Sequence, residues 1–234
     1  MSKQSISVVV PMYNEEENAP RAIESLMDVL SSQFPDYEIV IVESGSTDGT
    51  AAIADHLAAS HPQVRVIHQK NREGLGSAIR LGFANASCDY VLYVDGDEPF
   101  DISEISRAAP LLGECDMVIG YRIGPRESLK RKVYSRVYNW LVQLLLGLDV
   151  RDVNFSMKMI RRTLLDRLEL RANGCFYDAE LIAEARRAGL EIGELGFHYE
   201  PRTSGDSSLD SFPVILGILR ELAGYFVRRR LLRR

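Results

Sequence analysis

Tyr90-Val-Leu-Tyr-Val-Asp-Gly-Asp97 is a short apolar run that ends on two carboxylates. Residues 90–94 carry no polar break, which reads as a strand buried on both faces. Asp95 and Asp97, one residue apart at its end, can aim at one point beyond a sheet. Hard divalent cations, Mg²⁺ or Mn²⁺, take such oxygen ligands and share them with substrate phosphates. An Asp-Gly pair is also an ordinary turn signal, so its meaning rests on what surrounds it.

Working outward, residues 6–10, 37–42, 64–68 and 117–120 are further buried-strand patterns. Helical spacing occupies 15–32, 50–60, 77–85 and 102–112, with Gly74-Leu-Gly76 opening the third of these helices. Repeated strand–helix–strand units predict an α/β, Rossmann-like, mostly parallel sheet flanked by helices. Ligands of such sheets bind at the carboxyl ends of the strands. That rule sets residues 11–15, 43–48 and 95–97 along one edge. Asn14 is positioned to cap the first helix, with Glu15 at its positive end. Residues 44–49 read as a turn plus N-cap, and Glu43 as a strand-end carboxylate free to meet a ribose or base. The second half predicts a helix over 129–148, a strand or loop over 152–160, and helices over 161–170 and 177–188. A strand over 191–199, a Gly/Ser-rich loop over 201–208 and a final helix from 211 complete the chain.

The 234 residues are 46% hydrophobic, enough for one large core, and the net charge of -5 argues against a nucleic-acid binder. Cys88, Cys115 and Cys175 lack metal-ligand spacing and suit a reducing, cytoplasmic setting. The best candidate for a membrane span, 212–227, is broken by Arg220 and Glu221. One domain over 1–234 is expected, with a nucleotide-sugar half (1–122), an acceptor half (123–210) and a C-terminal amphipathic helix (211–234).

Pro11-Met-Tyr13-Asn-Glu15, then Ser44-Gly-Ser-Thr-Asp48-Gly-Thr50, then Asp95-Gly-Asp97, in that order and spacing, resemble the large family-two inverting glycosyltransferases of GT-A fold. The resemblance implies that Pro11, Tyr13, Glu15, Glu43 and Asp48 hold the nucleoside of a nucleoside-diphosphate sugar, with Asp95 and Asp97 on the diphosphate and metal. Glu43-Ser44 stands where that family usually has two aspartates, and Pro99 where its lipid-phosphate members often have glutamine.

Arg131, Ser135 and Asn139 fall at four-residue spacing on one helix face. With Asp152-Val-Asn-Phe155, Tyr177-Asp178-Ala-Glu180 and Arg202-Thr-Ser-Gly-Asp-Ser207, the series resembles the dolichyl- and polyprenyl-phosphate mannosyl- and glucosyltransferases. There the basic helix and the Arg-x-x-Gly-x-Ser loop meet phosphates. A lipid phosphate is already an anionic nucleophile, so arginines to place it matter more than a strong base. Arg122, Arg131 and Arg202 are the candidates, with Ser135 and Ser207 beside the acceptor phosphate. Asp97, Arg131 and Arg202 are the residues expected to drive catalysis. The resemblance thus implies transfer of a hexose from GDP-mannose or a UDP-hexose to a polyprenyl (dolichyl-type) phosphate, with inversion. Leu216, Leu219, Leu222 and Phe226, followed by the arginine-rich residues 228–234, suit peripheral contact with an anionic cytoplasmic membrane face. Docking on the core or a homo-oligomer contact is the alternative for that helix. A hydroxyl acceptor needs a general base, for which Asp178 or Glu180 is the candidate. A non-catalytic nucleotide-sugar binder is the remaining alternative.

Overall fold

In the computed structural model, which describes residues 5–96, 101–124, 129–198 and 212–231, β1 (Ile6–Met12) lies between two parallel neighbours, β2 (Tyr37–Glu43) and β4 (Tyr90–Tyr93). β3 (Val64–His68) adds outside β2, also parallel. Beyond β4 come β6 (Lys158–Arg161), β5 (Met117–Ile123) and β7 (Ile192–His198), giving the order β3-β2-β1-β4-β6-β5-β7. β6 runs antiparallel to β4 and β5, and β5 is parallel to β7. Every strand but β6 therefore ends at the same edge. The expected mostly parallel α/β sheet is present, and it is the GT-A architecture.

Alternation along the strands builds two cores. Val9, Val40, Val42, Val91 and Tyr93 face one side, against α3 (Leu75–Asn85), α6 (Tyr177–Arg187) and α7 (Phe212–Leu231). Val8, Val10, Ile39, Ile41 and Leu92 face the other, against α1 (Ala19–Gln33) and α2 (Thr50–Ser60). Period-two side chains, apolar on both faces, leave water no access to the central strands. Chain order reverses between β1 and β4, which opens a crevice at their carboxyl ends.

Several boundaries differ from the sequence expectation. α1 starts at Ala19, because residues 15–18 form a turn in which Glu15 O accepts the amides of Asn18 and Ala19, with Pro20 in the first helical turn. Residues 102–112 are not one helix but two 3₁₀ turns, Ile102–Arg107 and Pro110–Gly113, where Pro110 lacks the amide a continuous helix needs. The helix expected over 161–170 shrinks to α5 (Arg162–Leu165). α4 (Leu129–Leu146) matches its pattern. Side chains at 129–135, 137, 212–215, 230 and 231 lie outside the described residues. All three cysteines are free, Cys88 buried and Cys115 and Cys175 half-buried. Among the described residues, no helix is long and apolar enough to cross a membrane.

Candidate active site

The loops after β1 and β2 are stitched together along one side of the crevice. Asn14 sits at φ 55, a left-handed conformation that asparagine tolerates. Its amide donates to Ser46 Oγ (3.1 Å), and its Oδ1 accepts the Thr47 amide (2.9 Å). The Glu15 amide donates to Thr50 Oγ1 (2.8 Å), and Glu16 Oε2 accepts the Gly49 amide (2.7 Å). Asn14 therefore does not cap α1, as its position in sequence suggested. It locks the first motif onto the second. Asp48 works inside the same lock: Oδ1 accepts the Thr50 amide (3.0 Å) and hydroxyl (2.5 Å), and Oδ2 accepts the Glu16 amide (3.3 Å). Burial alone would raise its pKa, but the Thr50 bonds outweigh that and lower it. Tyr13 projects from the first loop beneath the Arg72 guanidinium, 4.0 Å from the ring centroid.

Glu43 is not a free carboxylate. It is buried at the end of β2, with Oε1 accepting the Ser46 amide (2.5 Å) and Oε2 against His68 Nδ1 (3.0 Å). Burial pushes its pKa up, yet the His68 and Ser46 hydrogen bonds hold it below the ordinary carboxylate value. Ser44, where the resembling family has aspartate, donates to Gln69 Oε1 (3.0 Å), and Gln69 Nε2 donates to Ser77 Oγ (3.1 Å). All three are buried. The position carries a neutral hydroxyl–amide network instead of a charge.

Asp95 stands at the end of β4, half-buried, next to the first loop: a Cβ added at Gly96 would lie 3.4 Å from Pro11 O. The Tyr93 hydroxyl donates to Asp95 Oδ1 (2.8 Å). Behind this pair, the buried Lys158 ammonium contacts Asp178 Oδ1 and the Phe155 carbonyl, each at 2.6 Å, and lies 5.7 Å from the centroid of the Tyr93 ring. Asp178 is raised in pKa chiefly by burial, with the Lys158 charge opposing; Asp95 and Asp152 push it further up. An oriented, hard carboxylate such as Asp95 fits Mg²⁺ or Mn²⁺. Its partner Asp97 lies outside the described residues.

Tyr93, Lys158, Arg72 and His68 were not among the residues read from the sequence as site residues. Tyr93 was detectable, because two residues along a strand return to the same face. Lys158 was detectable as a lone charge among Met157, Met159 and Ile160, a pattern that demands a buried partner.

The acceptor half is only partly brought together. Arg122 lies near the end of β5, half-buried, on the same sheet edge as Asp95. Asn139 is buried on α4, and its Oδ1 accepts the Val153 amide (3.0 Å), fastening the 152–156 segment. Arg131 and Ser135 are on α4, but their side chains, like Arg202 and Ser207, lie outside the described residues. Glu180 is fully buried and engaged: Oε2 accepts the amides of Arg171 (2.7 Å) and Ala172 (2.6 Å), and Oε1 accepts Arg228 (2.8 Å). These three bonds tie the 171–172 backbone to α7 through one carboxylate. Glu221 Oε1 holds the next two amides, Asn173 and Gly174, each at 2.8 Å. This loop passes so close to Gly74 and Gly76 that any Cβ there would strike the Asn173 and Ala172 carbonyls.

Among the described arginines of the C-terminal helix, Arg228 and Arg229 are likewise turned inward. Arg228 pairs with Glu180, and Arg229 with Glu184 and with Glu169 (3.2 Å). Ile218, Leu222 and Tyr225 face the core, so Leu222 does not belong to an outer stripe. Leu216, Leu219, Phe226 and Val227 remain exposed on the far side.

The comparisons agree with this geometry. Glycosyltransferase AglD of Haloferax volcanii is 34% identical over 98% of this chain, which spans only 39% of AglD's length. Polyprenol monophosphomannose synthase of Mycolicibacterium smegmatis is 29% identical over 88% of this chain and 81% of its own. Glucosyl-3-phosphoglycerate synthase of Mycobacterium tuberculosis, solved with Mn²⁺ and UDP-glucose, superposes with a TM-score of 0.68 at 25% identity, covering 94% of this chain and 79% of its own. The family model for glycosyl transferase family 2 matches residues 7–169, and with β1, β2 and β4 delivering its motifs to one crevice, this chain belongs to that family.

Proposed function

We propose that the protein transfers a hexose from a nucleoside-diphosphate sugar to a hydroxyl of a small phosphorylated acceptor, with inversion. The observation that carries the donor half is the interlock of residues 14–16 with 46–50 beside Asp95, at the switch point of the sheet. Tyr13, under Arg72, offers a flat surface to the base. Asp95 and Asp97 would hold Mg²⁺ or Mn²⁺, which supplies positive charge to the departing diphosphate. The acceptor oxygen attacks the anomeric carbon from the face opposite the diphosphate, and the sugar–phosphate bond breaks as the new glycosidic bond forms. The hydroxyl proton would pass to a carboxylate, for which Asp178, paired with Lys158 behind Asp95, is the candidate. Arg122, with Arg131 and Arg202, would hold the acceptor's phosphate. Ser135 and Ser207 would add neutral contacts. Glucosyl-3-phosphoglycerate synthase, similar over most of this chain, supports a UDP-hexose donor and an acceptor of this kind.

A second reading keeps the donor site and replaces the acceptor with a polyprenyl phosphate at a membrane surface. Two observations favour it: the likeness to polyprenol monophosphomannose synthase, and the exposed stripe of Leu216, Leu219, Phe226 and Val227. The arginines at 228 and 229 do not add to it, being paired internally.

A transfer assay distinguishes the two. Labelled UDP-glucose, UDP-N-acetylglucosamine and GDP-mannose are offered with phosphoglyceric acid or a short polyprenyl phosphate, with Mn²⁺ or Mg²⁺, a chelator control and Asp97→Ala. Metal-dependent label in a water-soluble product supports the first reading. Label in the organic phase overturns it for the second. No turnover with any pair, despite donor binding, leaves a nucleotide-sugar binder.

A further inference from the structure

His68 ends β3 directly opposite Glu43 in the parallel pairing of β2 and β3. Its ring bridges two acids. Nδ1 is 3.0 Å from Glu43 Oε2, and Nε2 is 2.9 Å from Asp55 Oδ1 on α2. Ionised carboxylates only accept hydrogen bonds. Both contacts therefore need both ring nitrogens protonated, and a neutral imidazole must surrender one. The charged groups facing the ring are Glu43 from β2 and Asp55 from α2, and both raise its pKa.

The chain of contacts continues past Glu43. Its other oxygen accepts the Ser46 amide (2.5 Å), and Ser46 Oγ accepts the Asn14 amide (3.1 Å). A continuous path thus runs from Asp55 through His68, Glu43 and Ser46 to Asn14. Asn14 holds its left-handed backbone while bonded to the second loop through both its amide and its side chain. Tyr13 immediately precedes it. The path joins the end of β3 to the two loops and bears on where they sit.

We infer that His68 is a positioning residue for the nucleotide end of the donor site: its imidazolium keeps Glu43 on the Ser46 amide, and donor affinity falls when it loses its proton. The inference rests on the reading that this crevice holds the donor nucleotide.

The test is calorimetric binding of UDP-glucose and of GDP-mannose, with Mg²⁺, by the full chain from pH 5.5 to 8.5. These donors carry no group that titrates in this range. The wild type is expected to lose about fivefold to tenfold in affinity across the range, the scale of one ordinary intramolecular hydrogen bond felt at the loops. His68→Asn places an amide nitrogen near the Nδ1 position and keeps the Glu43 contact without titrating. It should bind at the acid-limb affinity with a flat profile. His68→Gln reaches toward Asp55 instead and should be flat at the alkaline-limb affinity. Asp55→Asn, at an exposed residue, should move the loss of affinity to lower pH. A role confined to stability would leave Asn and Gln variants equal in affinity and the wild-type profile flat, and either result overturns the inference. Failure of the wild type to bind either donor at any pH would overturn the donor-site reading itself, and this inference with it.

Discussion

Tyr93 and Asp95, two residues apart at the end of β4, are joined by a hydrogen bond of 2.8 Å from the phenol to Oδ1. Burial, with Asp95 nearby, pushes the Tyr93 pKa far above its ordinary value, so the hydroxyl stays a donor at any working pH. The bond points the first carboxylate of the metal motif. Tyr93→Phe keeps the ring and removes the donor. Hydrogen bonds to charged groups contribute about 1.5–3 kcal/mol, so kcat/KM should fall about 10- to 100-fold, and more metal should be needed for half-maximal rate. Steady-state kinetics with a metal titration check this, alongside a melting curve to show that the fold persists. Unchanged kinetics would remove Tyr93 from the machinery.

The pairing of Lys158 with Asp178 predicts an asymmetry between single and double substitutions. Lys158→Met strands a buried carboxylate and should cost about 3–5 kcal/mol. Adding Asp178→Leu should recover most of that, since replacing a whole buried pair with apolar groups is close to neutral. Urea denaturation of the two singles and the double forms the cycle. Asp178→Asn separates the acceptor readings. A general base is worth about 10²–10⁴-fold, so transfer to a hydroxyl should collapse. Transfer to a lipid phosphate, which has no proton to give up, should fall less than about tenfold.

Glu180 predicts a loss of stability, not of chemistry. Its carboxylate ties two loop amides to Arg228 on α7. Glu180→Ala should lower stability by about 3–5 kcal/mol as a broken buried ion pair. Its effect should be strongly non-additive with Arg228→Ala. Differential scanning calorimetry of the three variants measures this, and hydrogen exchange should show residues 171–174 and α7 loosening together.

The Glu43–His68 pair predicts a pH window for stability. Glu43 has its pKa lowered from 4.5 on folding, so its contribution is present above that value and fades as pH falls through the folded pKa. His68 has its pKa raised from 6.5, so its contribution is complete below that value and fades as pH rises through the folded pKa. The difference in urea midpoint between wild type and His68→Ala should therefore peak near about pH 5.5 and shrink toward about pH 4 and pH 9. A difference that grows with pH would reverse the assignment.

The repeating units, the parallel character of the sheet and the edge that carries the motifs were all legible from residues. Buried strands such as 6–10 and 90–94 announce themselves by unbroken apolar runs, and helices by their spacing. Local chemistry does not say which partner a polar side chain will choose. Glu43 looked free because its partner, His68, is 25 residues away and meets it only when β2 and β3 pair. Asn14 looked like a helix cap because Pro20, which sets the true helix start, acts less visibly than a nearby Asn-Glu pair.

Sequence by itself determined the architecture and the family, because both rest on periodicity and on ordered short motifs. Only the tertiary structure decided which carboxylates are available. Glu180 and Asp178 are two residues apart on one helix, equally acidic on paper. One is saturated by two amides and an arginine from α7, and the other faces a single lysine beside Asp95. The arginines at 228 and 229 read as a basic tail, yet they turn inward because Glu180, Glu184 and Glu169 await them on the core. Charge is a property of the residue, but its use depends on which long-range neighbours the fold brings within hydrogen-bond reach.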